Sequence, residues 1–170
     1  MIKLCGALLI MLGCVYIGCA PIYAMNQRSA NLYAYWNLLE RMKAELETYH
    51  HSIPQLFLSL LRLKNKHTQP FIQSVYEALI SDRPNSFHEV WRSYIQQKLA
   101  VFGEEEREML LYLGESLGCY SIEEQAIIIN RSISRFRVSY EETIKRSREL
   151  RKLYPPCSAA VGILLVITLL

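Results

Sequence analysis

Apolar residues fall at Ile122, Ala126, Ile129, Ile133, Phe136, Tyr140, Ile144 and Leu150, mostly in alternating steps of three and four, while the opposite positions are charged. That spacing keeps one stripe on one face of a helix. Ser121 with Glu124 three residues on fits a capping box, in which each side chain meets a backbone N–H that a first helical turn leaves unpaired. The pattern therefore predicts a helix starting at Ser121, with no Gly or Pro before Pro155. The same period at Leu32, Trp36, Leu39, Met42, Leu46 and Tyr49 predicts a helix over 29–49.

Between these two, Pro54 sits where a first turn tolerates proline, and Leu56, Leu58, Leu60, Leu61 and Leu63 predict an apolar helix up to Lys64. Gln69-Pro70 opens the next, with Phe71, Val75, Leu79 and Ile80 on one side and Asp82-Arg83-Pro84-Asn85 as the closing turn. Ser86 with Glu89 repeats the capping pattern ahead of Phe87, Val90, Trp91, Tyr94 and Leu99, and Phe102-Gly103 ends that helix. Glu104, Glu105 and Glu106 then lie in a first turn, where carboxylates meet the positive end of a helix. Met109, Leu110, Leu113 and Leu117 face inward, and Gly118 is placed to cap the C-terminus. No strand-like alternation and no Gly-rich phosphate loop occurs. The expected fold class is all-α, a six-helix bundle whose core includes Trp36, Leu39, Trp91, Leu113, Ile129 and Phe136.

Both ends of the chain depart from amphipathicity. Residues 4–24 carry no charge, a run about as long as the ~20 residues a membrane helix needs. A retained anchor is the favoured reading. A signal peptide and a lipoprotein site at Leu12-Gly13-Cys14 are the competitors, and Pro21 is expected to bend or end the helix. After Pro155-Pro156 the remaining residues, 157–170, are also uncharged, a marginal span for which a buried core helix is the alternative. The expected organisation is an N-terminal anchor over 1–25, a cytoplasmic helical bundle over 26–154 and a C-terminal anchor over 155–170. Lys145, Arg146, Arg148, Arg151 and Lys152 immediately precede the second run, and the positive-inside bias places them, and the bundle with them, on the cytoplasmic side. The apolar fraction of 51% is high for a soluble chain because of these two ends.

Candidate chemistry is sparse. His50-His51, His67 and His88 are the only histidines, and two adjacent ones diverge by about 100° on a helix, so they do not make an i, i+4 metal pair. Seven carboxylates lie between Glu104 and Glu124 against one Arg107, and eight basic residues between Arg131 and Lys152 against three acidic ones. The glutamates read as a solvated helix start rather than a catalytic pair, and the basic run reads as cations drawn to anionic lipid rather than nucleic acid, since the net charge is only +3. Cysteine usage offers neither a disulfide framework nor zinc spacing. No enzyme activity, cofactor or metal is expected.

The chain resembles the stage III sporulation protein AB family over nearly its full length. The residues that carry this are Ile2-Lys3-Leu4-Cys5-Gly6-Ala7-Leu8-Leu9, Leu38-Leu39-Glu40 with Glu45 and Pro54, Glu89-Val90-Trp91, and above all Leu113-Gly114-Glu115-Ser116-Leu117-Gly118 followed by Glu124 and Gln125; Gly162-Ile163-Leu164-Leu165-Val166-Ile167 fits at the end. Pro155-Pro156-Cys157 departs from the usual Ser-Leu-Gly type approach to the last membrane helix and bears on its continuity. The resemblance implies a domain similar to the cytoplasmic domains of the type II secretion platform protein, bracketed by membrane helices. It further implies a non-enzymatic scaffold of the secretion-like channel between mother cell and forespore, in the mother-cell membrane, touching a cytoplasmic ATPase, stage III sporulation protein AA, and other stage III sporulation membrane proteins. Self-association stays open. The corner formed by Gly114, Glu115, Gly118, Glu124 and Gln125, the last expected to be exposed, is the candidate docking surface, with helix capping and close helix contact as its plainer role. An exported lipoprotein or secreted helical binding module is the alternative function.

Overall fold

Six helices follow one another in the computed structural model: α1 Ile2–Tyr49, α2 Ile53–Leu61, α3 Gln69–Ile80, α4 Ser86–Lys98, α5 Glu104–Ser116 and α6 Ile122–Leu169. The structure describes residues 2–49, 52–81, 86–117, 119 and 121–169; within its helices the side chains of 2–12, 14–15, 17–18, 49, 86, 122, 155, 157–159 and 162–169 are outside the description. No strand occurs among the described residues, so the chain is all-α. The histidine pair at 50–51 and the turn at 82–85 lie outside the described residues.

Two elements differ from their expected bounds for the same reason. α1 continues through Pro21, where a bend or end was expected, and α6 continues through Pro155 and Pro156. A proline inside a helix forfeits one backbone bond and crowds the carbonyl four residues earlier. That cost is local, whereas every residue on either side adds a bond once the helix is nucleated. α2 is shorter than expected and stops at Leu61, because the chain turns at Lys64, whose φ of 46° is left-handed. Asn65 then closes the connection, its Oδ1 accepting from the His67 N–H at 2.9 Å and its carbonyl from the Gln69 N–H at 2.7 Å.

The chain divides into two compact units, Ala30–Tyr140 and Met1–Ser29 with Glu141–Leu170, so α1 and α6 each supply residues to both. In the second of these, Asn26 Oδ1 accepts from Ser147 Oγ at 3.3 Å and from Arg151 Nη2 at 3.0 Å, a polar tie between α1 and α6. Among the described residues no helix is long and apolar enough to cross a membrane. The described side chains of the two uncharged runs are those of Gly13, Tyr16 and 19–24 in the first, and of Ala160 and Val161 in the second.

In Ala30–Tyr140, α2 packs on α3, α3 on α4 and α4 on α5. Leu39, Trp91, Leu113, Ile129 and Phe136 are buried together. Trp36 is not central: it sits at the edge of the stripe, against Tyr33 and Tyr140, with its indole N–H on Glu40 Oε1 at 3.2 Å. The neighbouring residue Tyr35 takes the central place, fully buried, its ring 5.0 Å from Phe102 and 5.8 Å from Phe71. Its hydroxyl has no hydrogen-bond partner among the described residues.

Burial pushes the Tyr35 phenol well above its ordinary value of 10.0, and the nearby Tyr94 phenol, itself raised by burial, adds to this. The neutral phenol is the form the fold accepts, so its contribution to stability is complete below the unfolded value and is lost as pH rises above it. Unfolding of the full chain by urea is therefore expected to become easier from about pH 10 upward, and Tyr35→Phe should remove much of that alkaline slope. At neutral pH the same change leaves stability unaltered or raises it by up to ~1 kcal/mol, because it removes a buried hydroxyl without a partner. A loss of several kcal/mol in the phenylalanine variant at pH 7 would contradict this account.

Candidate functional site

The corner singled out in the sequence is built on one contact between α4 and α5. Trp91 projects from the inward stripe of α4, and its indole N–H donates to the Leu110 carbonyl at 2.7 Å. In a helix the carbonyl of residue 110 points along the axis toward residue 114, so an indole approaching it must cross the place where the side chain at 114 would stand. Residue 114 is glycine. A Cβ there would collide with the indole ring, standing 2.6 Å from Cε2 and closer still to Nε1 and Cδ1.

The remaining members of the corner do not share one face. Gly114 and Gln125 point inward, Glu115 and Glu124 outward, and Gly118 lies outside the described residues. Glu115 binds Arg92 Nη2 through Oε1 at 2.6 Å, joining α5 to α4 on the surface. Both side chains are more than half exposed, so the pair contributes only ~0–1 kcal/mol. Glu124 is engaged in the capping box: its carboxylate accepts from the Ser121 N–H at 3.1 Å, while its own N–H donates to Ser121 Oγ at 3.3 Å. Gln125 is only 5% exposed, which corrects the expectation of an exposed amide. It stands four residues before Ile129 and seven before Ser132, both fully buried, and a core-facing stripe wide enough to take those positions takes 125 as well.

Glu106 corrects the expected solvated helix start in the same way. It is buried, one turn before Leu110 and two before Leu113, on the inward side of α5. The N-cap of α5 is Gly103, which has no side-chain oxygen to offer the first-turn N–H groups, and three carboxylates gather at that positive end instead. Lys145, Arg146, Arg148, Arg151 and Lys152 are all exposed.

A feature the sequence reading missed lies on the outer side of α5 and α6. Glu105, Glu108, Met109 and Tyr112 follow each other at helical spacing on α5, and Glu124, Ile127, Ile128, Arg131 and Arg135 do so on α6. They border two adjoining cavities of about 460 and 220 Å³, with Tyr112 common to both. Arg135 pairs with Glu105 across the hairpin. The signal was present as a second stripe, 105, 108, 109 and 112, one position off the inward one at 106, 110, 113 and 117, which corrects the expectation that Met109 faces inward: it is half-buried and borders the outer groove.

The family model described as stage III sporulation protein AB matches residues 3–170, nearly the whole chain. No curated relative and no solved structure matches.

Gly114→Ala is expected to destabilise the Ala30–Tyr140 unit by about 3 kcal/mol, since either the indole or α5 has to move. Trp91→Phe removes the colliding ring edge along with its hydrogen bond, so the two changes should be strongly non-additive. Thermal unfolding of the four chains of a double-mutant cycle should give a coupling of ~1–2 kcal/mol. Plain additivity would show that the indole and Gly114 do not oppose each other as described.

Proposed function

Because the chain belongs to the stage III sporulation protein AB family, and is therefore a sporulation protein, we propose that it is a non-catalytic membrane scaffold of a secretion-like channel between mother cell and forespore. The observation that carries the reading is a family match that runs from residue 3 to residue 170 and so takes in both uncharged ends as well as the helical body between them. The ends supply the proposed attachment. Residues 4–24 and 157–170 hold no charge, and the five exposed cations at 145–152 stand just ahead of the second run, where anionic head groups attract them by about 1 kcal/mol each. The body then faces the cytoplasm of the mother cell.

The body's part in this reading is contact with other proteins. Its partner is a cytoplasmic ATPase, stage III sporulation protein AA, which it links to the membrane components of the channel. Of the described corner residues, Glu115 is the one able to reach such a partner, because its exposed ion pair with Arg92 is weak and exchangeable, whereas Glu124 caps α6 and Gly114 and Gln125 are turned inward.

Protease added to intact protoplasts of sporulating cells should leave residues 30–140 uncut, and should cut them once the membrane is opened. Digestion without lysis would favour the exported binding module. Glu115→Lys places a cation beside Arg92 and should lower recovery of the ATPase with the full chain about tenfold, at unchanged thermal stability. Undiminished recovery would remove Glu115 from the docking surface.

A further inference from the structure

We propose that the outer groove of the α5–α6 hairpin is a two-fold interface between two copies of this chain. The groove has an apolar floor that the fold does not use. Tyr112 is 47% exposed and Ile127 61% exposed, and the core of the same unit already accounts for the inward faces of both helices. Cavities of about 460 and 220 Å³ on either side of Tyr112 give room for large side chains of another molecule.

Charge selects the occupant. The groove presents acids and bases together: Glu105, Glu108 and Arg135 border the first cavity, and Glu124 and Arg131 border the second. Glu108 and Arg131 have no ion-pair partner among the described residues. In a two-fold interface the same patch meets itself, so a patch of one sign repels its copy and a patch of both signs can match it. Counted from the Glu105–Arg135 pair, Glu108 of α5 stands level with Arg131 of α6, and Tyr112 with Ile127, so an axis running along the hairpin between the two helices lays α5 of one copy on α6 of the other at the same level. Glu108 of one chain then faces Arg131 of the other, and Glu105 faces Arg135. Tyr112 and Ile127 close the centre, and the two hairpins together form a four-helix arrangement with the apolar stripes inside. A foreign helix carrying only basic residues would satisfy the glutamates and oppose the arginines.

The test uses the purified full chain in detergent micelles, with a photoreactive benzophenone amino acid at position 112 and, in a parallel chain, at position 80, where the exposed Ile80 lies on α3. Illumination is expected to give a covalent dimer from position 112 and little from position 80. Glu108→Arg or Arg131→Glu alone should lower the dimer yield about tenfold, because each sets like charges against each other twice across the axis. The chain carrying both changes should regain it, since the exchanged pair is again complementary. Both residues are on the surface, so thermal unfolding of all three variants should match the parent. Equal yields at positions 112 and 80, single changes without effect, or a double change no better than the singles each overturn the proposal. Crosslinking in cells to a different protein at position 112, with no dimer of this chain, would assign the groove to that partner and overturn it as well.

Discussion

A single indole decides how closely α4 and α5 approach. Trp91 reaches the Leu110 carbonyl only because position 114 has no side chain, and the bond of 2.7 Å in turn fixes the indole over that glycine. The ring is also where neighbouring helices meet. Its centroid is 4.9 Å from Phe71 of α3, 5.6 Å from Phe87 of α4 and 6.2 Å from Phe57 of α2, mostly in the edge-to-face geometry that aromatic quadrupoles favour. From Phe71 the chain of rings continues through Tyr35 of α1 to Phe102 and Phe136 of α6. Displacing the indole therefore disturbs contacts reaching every helix of the Ala30–Tyr140 unit.

The α5–α6 hairpin has two working sides in consequence. With its inner stripe committed to the core, α5 is held against Trp91 and cannot rotate to bury Met109 and Tyr112 without exposing Leu110 and Leu113. The outer stripe is thus a by-product of a well-determined inner one. Its charges are arranged across the hairpin rather than along one helix: Glu105 on α5 meets Arg135 on α6, and this pair holds the two helices at the far end from the Ser121 cap.

Most of the architecture was legible because helical periodicity and capping chemistry are local. The Ser121–Glu124 box, the start of α5 at Glu104 and the inward positions Leu39, Leu113, Ile129 and Phe136 follow from spacing alone. What was not legible depends on angle and on context. Spacing cannot say whether the centre of a stripe falls on Trp36 or on Tyr35, since the two are adjacent and both apolar. It likewise placed Gln125 outside by residue type, although a stripe that holds Ile129 and Ser132 necessarily takes that position in. Pro21 and Pro155 carry a strong local signal that the continuing helix overrides, and Lys64 adopts a left-handed backbone with no glycine to announce it. At the candidate site the motif around Gly114 was visible, but its reason was not. That reason is a tryptophan on another helix, 23 residues away.

Short polar residues on the inner side of the hairpin, where Glu106 is the buried carboxylate, show why most of the charge can stand on its outer side. Ser132 is fully buried, yet its hydroxyl donates to the Ile128 carbonyl of its own helix at 3.0 Å, and buried Ser116 does the same to Leu113 at 2.7 Å. Such hydroxyls are satisfied within the helix that carries them, so they cost little to bury and ask nothing of the neighbouring element. Being short, they also let that element approach closely. Ser139, seven residues after Ser132, is buried on the same face, because seven residues are close to two helical turns. A longer polar side chain at either place would need an external partner or a path to water. With the inner face closed mostly by apolar groups and self-satisfied hydroxyls, the exposed glutamates and arginines of the outer stripe are left to set which surface the hairpin accepts.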